Sequence, residues 1–317
     1  MKRIFITGAS GCIGHYMAEA LIKETDHELF FLVRNPDKLK FDYLSCPNVH
    51  ILIGDLQNIE KFSDVLKTVN IAILAATSWG GVTESYEINV IKTLGLIDLL
   101  DPDICEQIFY FSTASILDKQ NQPLPEAGEF GTNYIRTKYQ CFIQLKELPI
   151  YQKVTTLFPT LVFGGEPNKP YSHLSGGIGD VIKWIDLIRW FKADGSFHYI
   201  HAKDIAQVVS YLVEHPLPET EEKLVVLGNK KTTVDEAVEV ISAYLKRRIY
   251  VRIPLSITLT NFFIKVFRLR MEDWDRFSIN YRHFTYKVTF TPANFGLKNY
   301  CTTIDDVMRL SGVFPEK

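Results

Sequence analysis

No sign of charge dominates this sequence. Its 35 Lys and Arg stand against 37 Asp and Glu, a net charge of −2, so it lacks the basic surplus that drives binding to nucleic acid. Cysteine is scarce and scattered. Cys12, Cys46, Cys105, Cys141 and Cys301 are odd in number, and no two have metal-site or thioredoxin-like spacing, which points to free thiols in a reducing cytoplasm and to no metal. Long apolar runs are missing too. The longest, at 255–267, is broken by Thr258, Thr260, Asn261 and Lys265 and falls short of the ~20 residues that a bilayer-crossing helix needs. It is expected to form an amphipathic helix, with a membrane-surface helix as the lesser reading. Lys2 and Arg3 precede an apolar run, but glycines interrupt it within a few residues, which argues against a secretory signal. Internal repeats and low-complexity stretches are absent as well.

What is present is a strand that runs into a glycine turn. Met1-Lys-Arg-Ile-Phe-Ile-Thr-Gly8-Ala-Ser-Gly11-Cys-Ile-Gly14 passes from an apolar strand through three glycines into an apolar-periodic stretch. That order suits a dinucleotide pyrophosphate: a tight turn, a close backbone approach, then a helix N-terminus with free N–H groups and a partial positive charge. Cys12, inside the turn, reads as a small filler and not as a nucleophile. Strands at 3–7, 29–33, 49–53, 71–75, 108–112 and 154–158 alternate with helices near 13–23, 59–67, 84–100 and 134–147. They predict an α/β fold, a doubly wound parallel sheet of Rossmann type. After Pro159 the rhythm breaks. Gly164-Gly165 and the Ser175-Gly-Gly-Ile-Gly179 stretch read as loops, the latter a candidate mobile lid. Segments 197–200 and 224–227 read as strands returning to the sheet, followed by helices at 202–214 and 233–247. The expected division is a dinucleotide lobe of 1–160 plus about 196–228, and a smaller, interleaved substrate lobe of about 161–195 plus 229–317.

Two constellations carry chemistry. Tyr134 and Lys138 lie four apart, on one face of a predicted helix capped by Gly131-Thr-Asn133. A nearby ammonium favours the phenolate and suits the phenol to proton transfer near neutral pH. Tyr199 and Lys203 share the spacing, but they straddle a strand and a helix and should not share a face. Ser112 and Thr113 end an apolar strand, where open α/β sheets bind ligands. His198 and His201 lie three apart at a strand–helix junction, which is not the spacing of a helical zinc pair; they read as packed histidines. Trp79-Gly80-Gly81, after the fourth strand, is a candidate wall of a substrate pocket.

Taken together, the glycine turn, the strand-end Ser-Thr and the Tyr-x-x-x-Lys resemble the extended short-chain dehydrogenase/reductases, the NAD-dependent epimerase/dehydratase family, over nearly the whole chain. The resemblance implies Tyr134 as general acid/base and Lys138 on the nicotinamide ribose. It implies Thr113 on the substrate oxygen, with Ser112 beside it. It assigns the turn (Gly8, Ser10, Gly11, Cys12, Ile13, Gly14), Asp55 and Leu56, Ala75, Ala76 and Thr77, Asn89, and Pro159 to the dinucleotide. It makes His201-Ala-Lys-Asp204 mainly structural and implies a possible homodimer through the helices at 84–100 and 134–147.

The second strand ends Phe30-Phe-Leu-Val-Arg34-Asn-Pro36, without the acid that would accept from both ribose hydroxyls. Arg34 stands there, and a guanidinium suits a 2′-phosphate, so NADP is expected over NAD. Leu161 stands before Val162-Phe163-Gly164 where nucleotide-sugar members of the family carry an Asn. Phe158 replaces the family's Arg, Leu117-Asp118 its Tyr-Gly, and no Asp-Glu pair follows Thr113. These departures favour an NADP-dependent reductase or dehydrogenase of a small-molecule carbonyl or alcohol. A nucleotide-sugar epimerase or dehydratase with tightly held NAD, and a non-enzymatic NADP-binding regulator or assembly factor, stay open beside it.

Overall fold

Short runs of Ile, Val, Leu and Phe build the centre of the molecule in a computed structural model, which describes residues 1–218, 222–268 and 270–315. They form β1 (Arg3–Thr7), β2 (Glu28–Val33), β3 (Val49–Ile53), β4 (Ile71–Leu74), β5 (Gln107–Phe111), β6 (Val154–Pro159) and β7 (Leu224–Leu227). These strands lie in the order β7-β6-β5-β4-β1-β2-β3, and every pair is parallel. Successive side chains point to opposite faces of the sheet. Ile4 and Ile6 of β1 enter one core with Met17, Leu21, Val209 and Leu212. Phe5 enters the other with Ala72, Leu96, Cys141 and Leu145. Both faces are therefore covered by helices, as the unbroken apolar strands require. The chain leaves β1 toward β2 on one side and returns as β4 on the other. The carboxyl ends of β1 and β4 thus flank a topological switch point, where such sheets bind ligands.

Five helices matter below: α1 (Cys12–Glu24), α2 (Asn133–Leu145), α3 (His173–Ile188), α4 (Ala202–Glu214) and α5 (Ile257–Val266). α1 packs on α4; burying Met17 and Leu21 contributes about 1.5–3 kcal/mol each. The helix expected at 84–100 runs as Val82–Tyr86, a π-helical stretch Glu87–Lys92, and Thr93–Asp98. The one expected at 59–67 is a 3₁₀ segment, Leu56–Phe62, continued by Ser63–Leu66.

Two expectations are corrected. The strand at 197–200 does not rejoin the central sheet. Ser196–Phe197 pairs with Thr232–Thr233 and His283–Phe284, while Tyr199–His201 pairs with Leu161–Phe163. His198 breaks the run: its ring nitrogens reach the Asn229 carbonyl at 2.6 Å and the Tyr286 amide at 3.3 Å. The glycine-rich stretch at 175–179 is not a loop but the first turns of α3. Ser172 caps that helix by accepting from the Ser175 amide, and Ile178, Ile182 and Ile185 recur at helical spacing against an apolar cluster with Tyr199, Leu245 and Met308. Cap and packing together outweigh the cost of about 1 kcal/mol per helical glycine.

Asp204, at the start of α4, ties the C-terminal segment to the sheet. It is buried, and its carboxylate accepts from the amides of Tyr300 at 2.6 Å and Cys301 at 3.1 Å. Asp204→Ala strands both amides without an acceptor. We expect a loss of roughly 2–4 kcal/mol in urea unfolding, with the sheet's far-UV circular dichroism retained.

Candidate active site

The switch point is a cleft of ≈ 940 Å³. One wall is the glycine turn. Gly8 sits at φ +82, and a Cβ there would lie 2.7 Å from the backbone of Ala75 and Ala76, so β4 can approach only a glycine. A Cβ on Gly14 would lie 2.0 Å from the Gly8 carbonyl oxygen; this is the close helix–strand approach that the third glycine permits. The Gly11 amide closes the turn on the Gly8 carbonyl at 3.0 Å, and the first intrahelical bond of α1 runs from His15 to the Gly11 carbonyl. The amides of Cys12, Ile13 and Gly14 precede it and have no intrahelical acceptor, which makes this end an anion cradle. Cys12 packs against the turn at Gly164, and burial pushes its thiol up to about 12, in keeping with a filler and not a nucleophile.

At one end of the cleft, the Asp55 carboxylate caps the following 3₁₀ segment through the Gln57 amide at 3.0 Å. It faces the Arg34 guanidinium across 3.7 Å, with the Arg34 side chain 78% exposed. Leu56, Ala75, Ala76 and Thr77 line the cleft beyond them, with Pro159 at the end of β6.

At the other end stand Ser112, Thr113, Tyr134 and Lys138. Thr132 caps α2 by accepting from the Ile135 amide, and this sets Tyr134 and Lys138 on the turns that face the carboxyl end of β5. Burial pushes the Tyr134 phenol up to about 12, and its hydrogen bond with Thr113 pulls the other way. The phenol lowering expected from Lys138 is thus not met: burial raises the phenol, and Thr113, not Lys138, opposes the rise. Lys138 is itself buried. Its ammonium donates to the Phe111 carbonyl at 2.7 Å, and burial lowers its pKa to about 8, with Cys141 opposing. An ammonium has three donors; the one bond to Phe111 leaves two for a ligand in the cleft. The Tyr199–Lys203 pair serves no such purpose, since the Tyr199 hydroxyl donates to the Thr302 carbonyl.

Asn89 is the exception among the sequence-derived residues. It is fully buried behind the wall and does not line the cleft. Its oxygen accepts from the Thr77 hydroxyl and the Ser78 amide, and its nitrogen donates to the Ser78 carbonyl and to Thr137 on α2. It positions the loop after β4 and touches no ligand space.

That loop carries the residue the sequence singled out only weakly. Trp79 stacks face to face on Tyr134, with centroids 3.8 Å apart and planes 12° from parallel, and meets His173 of α3 at 4.9 Å. Tyr171, His173 and Leu174 also line the cleft and carry no signal in the sequence: Tyr171 precedes α3, and His173 and Leu174 open it, just before the 175–179 stretch expected as a loop.

An anion cradle and a Tyr-x-x-x-Lys helix on opposite sides of a parallel-sheet switch point define a dinucleotide-binding α/β protein. The chain belongs to the NAD dependent epimerase/dehydratase family of enzymes, which its residues 4–228 match. Its fold is similar to that of a UDP-N-acetylglucosamine 4-epimerase from Methanobrevibacter ruminantium M1 in complex with UDP-N-acetylmuramic acid (18% identity, 98% of this chain and 96% of that one covered, TM-score 0.64). It is likewise similar to the dTDP-glucose 4,6-dehydratase DesIV from Streptomyces venezuelae with NAD and TYD bound (14% identity, 98% and 96% covered, TM-score 0.65). A UDP-glucose 4-epimerase from Thermotoga maritima with UDP-glucose shares the fold too (12% identity, 98% and 97% covered, TM-score 0.62). No curated protein matches the sequence. Among the described residues, no helix is long and apolar enough to cross a membrane.

Proposed function

We propose that the chain is an NADP-dependent oxidoreductase that interconverts a carbonyl and an alcohol on a small molecule with a substantial apolar part. The observation that carries this reading is the lining of the cleft beyond Tyr134. Trp79, Leu161, Val162, Tyr171 and Leu174 make an aromatic and aliphatic wall there. The cleft's Lys and Arg are Lys138, bonded to the sheet end, and Arg34, at the far end. A sugar diphosphate requires cations or amide donors at its phosphates; this wall mixes its apolar groups with Ser115, Thr160, Ser172 and His173 and brings no Lys or Arg.

The dinucleotide fits the residues present: unspent amides at the turn, a glycine wall against β4, and two spare donors on Lys138. When bound, it supplies the hydride. The chain's own residues do the rest. Thr113 holds the reacting oxygen. The Tyr134 hydroxyl donates its proton to that oxygen in reduction and takes it back in oxidation. The Lys138 ammonium, anchored on the Phe111 carbonyl, orients the ribose. Trp79 stacks on the Tyr134 ring and fixes its plane.

Arg34→Ala tests the cofactor. We expect NADPH to bind roughly tenfold more weakly and NADH to change less than about twofold, measured by nucleotide fluorescence titration. Equal weakening removes the 2′-phosphate assignment. A protein that purifies with stoichiometric NAD, and turns over a nucleotide sugar with no net cofactor change, overturns the reductase reading in favour of an epimerase.

A further inference from the structure

Residues 240–271 hold seven Lys and Arg and no Asp or Glu, in a chain whose net charge is −2. Two of those cations are spent locally: Arg252 on Asp235 and Glu239, and Arg247 on Asp186. Lys246, Arg248, Lys265, Arg268 and Arg270 are exposed and make no ion pair among the described residues. The same region exposes large apolar side chains. α5 contains no buried residue, and Phe262 is 58% and Phe267 66% exposed, beside Tyr250 at 73% and Ile253 at 51%. The last turns of α3 add Trp184, at 60%, and Leu187.

These elements form one face. The strand Ile253–Leu255 pairs with Phe191–Ala193, which follows α3, and the Ile253 amide donates to the Trp190 carbonyl at 2.8 Å. α5 folds back over that pair, since Phe263 meets Phe191 edge-on at 6.3 Å and Phe267 lies 6.1 Å from Phe263. The Arg189 guanidinium lies over Trp190 and donates to the Arg248 carbonyl.

We propose that this face docks on an anionic lipid bilayer without crossing it. Exposed apolar patches of this kind on soluble chains mark contact surfaces, and the charge around the patch selects the partner. Aromatic rings enter the headgroup boundary, while Lys and Arg reach anionic headgroups on either side. A two-fold contact with a second copy sets the same surplus of cations against itself; anionic headgroups neutralise it. α3 ties the face to the cleft, because its first turn lines the cleft at His173 and Leu174 and its last turns carry Trp184 and Leu187. The inference stands on this surface alone and does not depend on the reaction proposed above.

The test is co-sedimentation of the full chain with phosphatidylcholine vesicles, with and without phosphatidylglycerol. We expect binding only where phosphatidylglycerol is present, weakening as salt rises. Lys265→Glu with Arg268→Glu, and separately Phe262→Ser with Phe267→Ser, are each expected to weaken binding roughly tenfold or more. Arg248→Glu, outside α5, is expected to weaken it in the same direction. Melting temperature and nucleotide binding should be unchanged in each, which separates a lost contact from a misfolded helix. Equal binding to both vesicle types, no binding to either, or variants that bind as the parent does would overturn the proposal. A dimer that the same substitutions dissociate, with no vesicle binding, would assign the face to a second copy instead.

Discussion

Tyr134→Phe lowers turnover by about 10²–10⁴-fold and changes nucleotide affinity by less than about threefold: that is the expected result if the phenol is the proton donor. The substitution is a clean one. The ring stacks on Trp79 with its planes 12° apart, and a phenylalanine keeps that contact and its burial. What is lost is the hydroxyl that meets Thr113. Turnover is read as NADPH oxidation with a carbonyl compound that the parent enzyme reduces; affinity is read by fluorescence titration. Since burial holds the phenol near 12, Tyr134 is protonated throughout the neutral range. It is thereby poised as the acid of the reductive direction, and alcohol oxidation should quicken as pH rises. A variant that keeps the parent's turnover would remove Tyr134 from the chemistry. A chain that binds nucleotide, yet reduces nothing with or without the phenol, would be the non-enzymatic binder.

The parts of this arrangement that were legible in the sequence are those that local chemistry dictates. A glycine at Gly8 or Gly14 is forced by backbone within a few ångströms, so the turn announces itself in the chain. Each strand of the parallel sheet is buried on both faces and must be apolar throughout. Tyr134 and Lys138 share a helix face by spacing alone. What stayed hidden depends on distant partners. The phenol's rise to about 12 comes from packing around it, which no spacing encodes. Asn89 reads as a ligand residue until its four hydrogen bonds are seen to hold the Thr77–Ser78 loop and α2. The glycines at 176, 177 and 179 suggest a loop, but the Ser172 cap and the Ile178–Ile182–Ile185 stripe make a helix. His198 ends a run of strand-forming residues because its ring is claimed by Asn229 and Tyr286. The 255–267 stretch forms the expected helix over Ile257–Val266, but which of its apolar residues pack inward, as Phe263 does on Phe191, and which stay exposed, as Phe262 and Phe267 do, is a property of the fold.

Lys138 gives the second large effect, and its sign distinguishes a ligand-binding ammonium from a structural one. Burial lowers its pKa to about 8, whereas in the unfolded chain it titrates near ~10.4. Below pH 8 both states carry the proton, and the folded state bears the cost of holding a buried cation. Between about pH 8 and pH 10.4 the unfolded state binds more protons, so the stability of the nucleotide-free protein rises with pH through this window, by roughly 3 kcal/mol at its limit. Nucleotide affinity should move the opposite way. The two donors not given to Phe111 bind ribose best as part of an ammonium, so the dissociation constant is expected to rise about tenfold between about pH 7 and pH 9.5. Lys138→Met abolishes both trends: its affinity is low and flat, and the difference between its stability curve and the parent's isolates the lysine from every other titrating group. Urea unfolding and nucleotide titration across the same buffers measure the pair. If affinity and stability both rise with pH, the ammonium is a liability of the core and has no part in holding the nucleotide; opposed slopes place its charge on the ligand.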